Sequence, residues 1–251
     1  MKWLLGLLFI FSLVQTSAFA DSVFQRARAE TSRIAFDNQG GIAGGGVCWW
    51  HSRLQRAFLY LAKFNPTAPR PTLEKARDLL NDLIWERGYV EIPGFPDTKS
   101  FTAAFENLIQ EQLNIWQVTD GFISQGWILG ITGSSSLPPT DMKTRMDQIY
   151  AQYTIAHAKN DMLWLLLQLK GVASHASLLE SMTPDASGGY RLEMIDSNYP
   201  LGIVSYFYKN GDRSLTPFGI NGYNDTWVPY VSYARDLTRI HAAISAGTVL
   251  R

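Results

Sequence analysis

A single cysteine limits how this chain can be held together. Cys48 has no partner among the 251 residues, so no internal disulfide can staple the fold. Stability has to come from a packed core, and a chain of this length with 46% hydrophobic residues has the material for one. The cysteine lies in Gly44-Gly45-Gly46-Val47-Cys48-Trp49-Trp50, directly ahead of a strongly helical stretch. A glycine-rich turn, here ending at Gly46, lets backbone approach a bound molecule closely, and a helix N-terminus favours a thiolate. That setting favours a nucleophile over a small buried hydrophobe, the common fate of a free cysteine.

Residues 1–20 have the grammar of a secretory signal peptide. Lys2 supplies the positive start, residues 3–14 an apolar run, and Ala18-Phe19-Ala20 the small-residue cleavage site. The run is too short to span a bilayer, which takes about 20 residues. Cleavage after Ala20 leaves a secreted or periplasmic protein of residues 21–251 with no membrane attachment. Exported proteins pair their cysteines or avoid them, so a lone thiol there points to chemistry. Lysines plus arginines equal aspartates plus glutamates at 22 each, and loss of Lys2 leaves 21 against 22. Nothing in that balance would hold a nucleic acid.

Two patterns divide the mature chain, which is expected to form one domain. Residues 35–170 read as mainly helical. Leu54, Ala57, Phe58 and Leu61 follow Trp50 at helical spacing, with Arg53 and Arg56 on the expected wet face. Thr72 caps a second helix that stops near Gly88. Residues 92–96 read as a loop, and a third helix runs from about Ser100 to Leu113. After the loop at 132–139, Asp141 caps a fourth helix through Met146, Ile149 and Tyr153. The apolar run 162–169 belongs in the core. Residues 171–235 change to strand alternation: a run at 176–182, a turn at 184–189, then Tyr190, Leu192 and Met194, then residues 203–208. A final helix spans about 233–246. Helices followed by an antiparallel sheet make an α+β fold.

A cysteine nucleophile needs a base, and the base needs a group that holds its tautomer. Among the four histidines, His51 falls on the polar face of the first helix, and His157 and His241 lie inside helices. His175 opens a strand, where a rigid scaffold can aim it across a cleft. Neighbouring antiparallel strands would bring Asp196 beside it, positioned to accept the Nδ1 proton. Metal chemistry has no support, because no H-E-x-x-H motif or Cys/His cluster is present, and no cofactor is implied. A serine-hydrolase G-x-S-x-G elbow is also missing. Trp49 reads as core and Trp50 as a wall of the substrate cleft.

Gly-x-Cys-Trp at the head of a long helix, a helical half, then His-Ala opening a strand, resembles the papain-like cysteine peptidase superfamily. The segment from Tyr190 to Pro200, with Ile195-Asp196-Ser197-Asn198 at its centre, is similar to the strand end of bacterial members, including those that process bacteriocin leaders. The resemblance implies a helical lobe, an antiparallel sheet lobe and an active site in the cleft between them. It assigns Cys48 as nucleophile, His175 as general base and acid, and Asp196 as orienting residue, with Asn198 the rival for that role. It also implies a glutamine ahead of the cysteine as oxyanion donor, for which Gln39 is the candidate, beside the N–H of Cys48. The implied activity is cleavage of peptide bonds in a protein or peptide substrate. Two alternatives stay open: a peptidoglycan amidopeptidase or thiol acyltransferase with the same triad, and a non-catalytic papain-like or aromatic-rich binding module.

Overall fold

Helix α2 (Cys48–Leu61) is enclosed by its neighbours along nearly its whole length, and every side chain from Trp50 onward is buried. The structure is a computed structural model that describes residues 22–41, 45–123, 136–168, 174–218, 227–231 and 235–251. The signal-like segment, Gly44 and the first half of the loop expected at 132–139 lie outside the described residues. Ahead of α2, the short helix α1 (Val23–Arg28) is closed by a capping box between Ser22 and Gln25. Strand β1 (Ala62–Asn65) leaves the end of α2, and α3 (Leu73–Ile84) starts at Thr72, whose hydroxyl accepts the N–H of Lys75 as expected.

Residues 92–96, expected as a loop, begin inside a strand. β2 (Tyr89–Pro93) pairs in parallel with β1 and buries Val90 and Ile92 on alternate positions. Its hydrophobic signal is two residues long, too brief to stand out from a loop in the sequence. The third expected helix is two: α4 (Thr98–Ala104), capped by Asp97, and α5 (Glu106–Ile123), separated at Phe105. In α6 (Pro139–Ala158) the cap is Pro138, and Asp141 stands within the first turn.

The sheet half begins earlier than the pattern suggested. β3 (Leu163–Gln168) is a strand buried at every position, lying within the segment expected to be helical. An unbroken apolar run has no period, so the sequence marks it as core without telling helix from strand. β4 (Ser174–Pro184), β5 (Tyr190–Asp196), β6 (Val204–Tyr208), β7 (Thr216–Phe218) and β8 (Val228–Val231) complete an antiparallel sheet in the order β7-β6-β5-β4-β3-β8. Helix α7 (Arg235–Ala246) follows, and β9 (Val249–Leu250) adds to β2, giving a three-stranded parallel sheet. The architecture is α+β. Among the described residues no helix is long and apolar enough to cross a membrane.

Two apolar clusters cover the faces of the large sheet. One packs Trp164, Ala176, Leu178 and Ile195 against α2 and the helices around it. The other packs Leu165, Leu167, Leu179, Leu192 and Met194 against Met142, Met146 and Ile149 of α6. The wet face expected for α2 does not exist, because α1, α3, α5, α7 and β4 contact it. Arg53 and Arg56 are buried, and Arg53 is paired with the Asp120 carboxylate at 2.8 Å and lies over the Trp116 ring at 4.4 Å. A charged group can sit in such a core only when it is paired.

Asp120 also accepts the indole N–H of Trp50 at 3.2 Å, so its loss leaves two buried donors without this acceptor. Breaking a fully buried pair costs several kcal/mol, and the partial exposure of Asp120 reduces that. Asp120→Ala is expected to destabilise the fold by about 1–2 kcal/mol in urea denaturation, with the slope unchanged.

Candidate active site

Cys48 is the first residue of α2, and the turn ahead of it is held by backbone ties. Val47, the N-cap, has no capping side chain of its own. Its N–H donates instead to Oδ1 of Asn38. Gly46 has φ of +81°, a left-handed conformation suited to glycine, and its N–H donates to the Gly40 carbonyl at 2.9 Å. Helix α5 grips the same turn along one face. Gln110 donates to the Gln39 carbonyl at 2.8 Å, Asn114 accepts the Gly41 N–H at 3.0 Å, and Gln117 donates to the Gly46 carbonyl at 3.0 Å. The first N–H groups of α2 stay free of intrahelical partners, since the first helical bond runs from His51 N–H to the Val47 carbonyl.

The sheet supplies the other half of the site. Ser177 of β4 is registered against Asp196 of β5, which places His175, two residues along on the same face, diagonal to Asp196. That separation is within reach of an imidazole and a carboxylate. The His175 Nε2 to Asp196 Oδ1 distance is 2.7 Å, and both side chains are almost fully buried. Asp196 accepts twice more, from the Tyr206 hydroxyl on Oδ2 at 2.7 Å and from the Asn198 N–H on Oδ1 at 2.8 Å. The sequence reading placed Asp196 at Nδ1, but the bond is to Nε2. That leaves Nδ1 as the ring nitrogen for Cys48, to which His175 is hydrogen-bonded. The Cys48 Sγ also lies 3.9 Å from the Ser174 carbonyl, and the Trp227 ring packs at 5.9 Å from the imidazole.

The electrostatics follow from this packing. Burial disfavours the His175 cation, but the Asp196 charge and hydrogen bond, with a further contribution from Cys48, outweigh it and push the pKa up to about 10. Burial likewise works against the Asp196 carboxylate, yet His175 and the donors from Asn198 and Tyr206 hold it below the usual carboxylate range. The site therefore stores an imidazolium–carboxylate pair at neutral pH.

The remaining histidines are placed for other work. His51, expected on a polar face, is buried, its ring bonded through Nε2 to the Phe36 carbonyl at 3.0 Å. Burial drives its pKa down to about 4, so it is neutral under ordinary conditions. His157 packs tilted against Phe24 and His241 pairs with Asp161 at 2.8 Å. His175 is thus the histidine joined to Cys48.

Cys48, His175 and Asp196 are brought together, while the two tryptophans are placed opposite to expectation. Trp50 is in the core with its indole committed to Asp120, and Trp49 is half-buried, edge-on to Trp164 at 4.0 Å. The first tryptophan, not the second, therefore lies nearer the surface. Gln39 is exposed and its side chain makes no hydrogen bond among the described residues; its backbone carbonyl is the bonded group. Asn198 has its side chain on Asn38 and its N–H on Asp196.

Tyr206 is a participant that sequence reasoning passed over, and Asn38 enters it only as the oxyanion donor next in line after Gln39. Tyr206 was readable only as an alternating strand residue. Asn38 stood in the loop beside Gln39 with no periodicity to mark it. Among the described residues no group of three His, Cys, Asp or Glu could hold a metal ion. The chain has no significant match to a family model, a curated protein or a solved structure.

The opposed pKa shifts set a pH window. Stability from the raised His175 is complete below its unfolded value near 6.5 and fades as pH climbs toward about 10. Stability from the depressed Asp196 is complete above its unfolded value near 3.8 and fades as pH falls. The stability difference between wild type and Asp196→Ala is therefore expected to be widest between about pH 4 and 6.5 and to shrink on both sides. Denaturation midpoints across pH 3–10 measure it, and a flat difference would rule out a charged pair.

Proposed function

We propose that this chain is an exported cysteine hydrolase with a papain-like division of labour, cleaving amide bonds in proteins or peptides. The observation that carries the reading is the ordered line from Asp196 through His175 to Cys48, with the thiol at the head of a buried helix. Asp196 occupies Nε2 of the imidazole, so Nδ1 faces the nucleophile. The Cys48 thiolate attacks the substrate carbonyl carbon and forms a tetrahedral oxyanion, which the free N–H groups at the start of α2 stabilise. Nδ1–H of His175 protonates the leaving amine as the C–N bond breaks, leaving a thioester on Cys48. A water then gives one proton to His175 and attacks the thioester carbonyl, and the acid departs as the Cys48 thiolate is regenerated beside the imidazolium.

Asp196 stays a carboxylate throughout. Its three hydrogen bonds hold the ring in one tautomer, and its charge stabilises the imidazolium. Gln39 is the proposed side-chain oxyanion donor, from the loop that α5 grips. Gly46, two residues ahead of Cys48 in a left-handed turn, is the proposed point of backbone approach to the substrate. The signal-like residues 1–20 put the enzyme outside the cytoplasm, where a solitary unpaired thiol is best explained by use.

Iodoacetamide is expected to alkylate Cys48 at pH 6, where an ordinary thiol is nearly inert, and His175→Ala to suppress that reaction. Mass spectrometry of the mature protein reads the modification directly. A thiol silent until denaturation would sink the catalytic reading. Acyl transfer to added amines in place of hydrolysis would move the activity to a transferase.

Gln39→Ala separates the chemical step from thiol activation. A donor acts only as charge develops on the carbonyl, so alkylation should stay near the wild-type rate while casein hydrolysis falls about a hundredfold. Equal hydrolysis by both proteins would give the role to another donor.

A further inference from the structure

Resting on the proposed hydrolase reading, we infer that Asn38 is a positioning residue that fixes the nucleophile-bearing helix against the His175–Asp196 strands. The reacting groups come from different halves of the fold: Cys48 from α2, His175 and Asp196 from the sheet. Misplacement of reacting groups by about 1 Å costs on the order of a hundredfold in rate, so the seam between the halves has to be held at the site itself. Lower on the helix, the Ser52 hydroxyl donates to the Ala176 carbonyl at 2.8 Å. At the N-terminal end the direct links run through the thiol alone, to His175 and, at 3.9 Å, to the Ser174 carbonyl, and thiol bonds are weak.

Asn38 supplies the missing tie. Its Oδ1 accepts the N–H of Val47, the residue before the nucleophile. Its Nδ2 donates to Oδ1 of Asn198 at 3.0 Å, and its own N–H donates to the Ser197 carbonyl at 2.7 Å. Asn198 in turn donates its N–H to Asp196 Oδ1, the oxygen that holds His175. The bonds therefore close a ring: Val47 to Asn38, Asn38 to Asn198, Asn198 to Asp196, Asp196 to His175, and His175 back to Cys48. An amide is the group this position needs, because it must accept an N–H at one end and donate to an oxygen at the other. The space is fitted to it as well. A Cβ on Gly46 would stand 2.5 Å from Asn38 Nδ2, so the turn closes only around this side chain with glycine there.

The test uses the mature protein with Asn38→Leu, Asn198→Ala and the double variant. Hydrolysis is read on the fastest-cut casein peptide, alkylation with iodoacetamide at pH 6, and melting temperature alongside. Asn38→Leu is expected to lower kcat about tenfold or more with KM within twofold, to slow alkylation several-fold, and to leave the melting temperature within a few degrees. Asn198→Ala should shift both rates in the same direction, and the double variant should be no slower than Asn38→Leu, because both remove one shared link. An active wild type with Asn38→Leu inside twofold overturns the positioning role and leaves the hydrolase reading standing. Additive losses in the double variant, or a kcat loss matched by a collapse in melting temperature, also overturn it. A wild type with no hydrolysis and an inert Cys48 fails the hydrolase reading itself, and the positioning role with it. Should Asn38→Leu not fold, Asn198→Ala carries the same kinetic comparison.

Discussion

The pairing of His175 with Asp196 is the interaction around which this structure is arranged. Two ionisable groups are carried into the interior where the large sheet meets α2, and each is tolerable there because the other is present. Removing either would leave a desolvated group, and further donors add to the carboxylate. Tyr206 comes from the next strand, the Asn198 N–H from the turn that ends β5, and Trp227 from the far edge beside β3. The pair on β4 and β5 thus has neighbours from β6 and from the residue just ahead of β8, and the sheet order places them there.

Helix α2 answers that convergence from the other side. Its burial is unusual for a helix so rich in polar residues, and its polar side chains each find a task. Ser52 ties to β4, Gln55 caps the Ile34 N–H and holds Ser32, and Arg53 pairs with Asp120. A helix fixed on all sides cannot rotate or slide to relax, so its first residue is presented at one place. Precision at Cys48 follows from packing along the whole of α2, with the Asn38 link closing the turn ahead of its first residue.

Much of this was legible residue by residue. The caps at Thr72 and the turn at 184–189 are local chemistry, set by short side chains and glycines acting on their own backbone. The alternation at Tyr190, Leu192 and Met194 marked a half-buried strand because one face meets a core. β3 was legible as buried but not as a strand, since a segment covered on both faces loses its period. β1 and β2 were invisible because two apolar positions cannot rise above the background of loops. The wet face assigned to Arg53 and Arg56 failed for a related reason: charge predicts exposure only where no partner waits inside.

What the sequence by itself determined is the local grammar and the inventory: one thiol at a glycine turn before a helix, a histidine at a strand start, and an acidic residue at the end of the next strand. Hydrogen bonding within a few residues and hydrophobic period settle such features, and both are written in the order of amino acids. The tertiary structure alone decided which atoms meet. That Asp196 faces Nε2, that Trp50 turns inward while Trp49 stays near the surface, and that Asn38 spans from Val47 to Asn198 depend on strand register and on how α2 is rotated against β4. Those are fixed by packing between residues 21 positions apart, as in His175 and Asp196, to 160 apart, as in Asn38 and Asn198, separations at which local pattern carries no information.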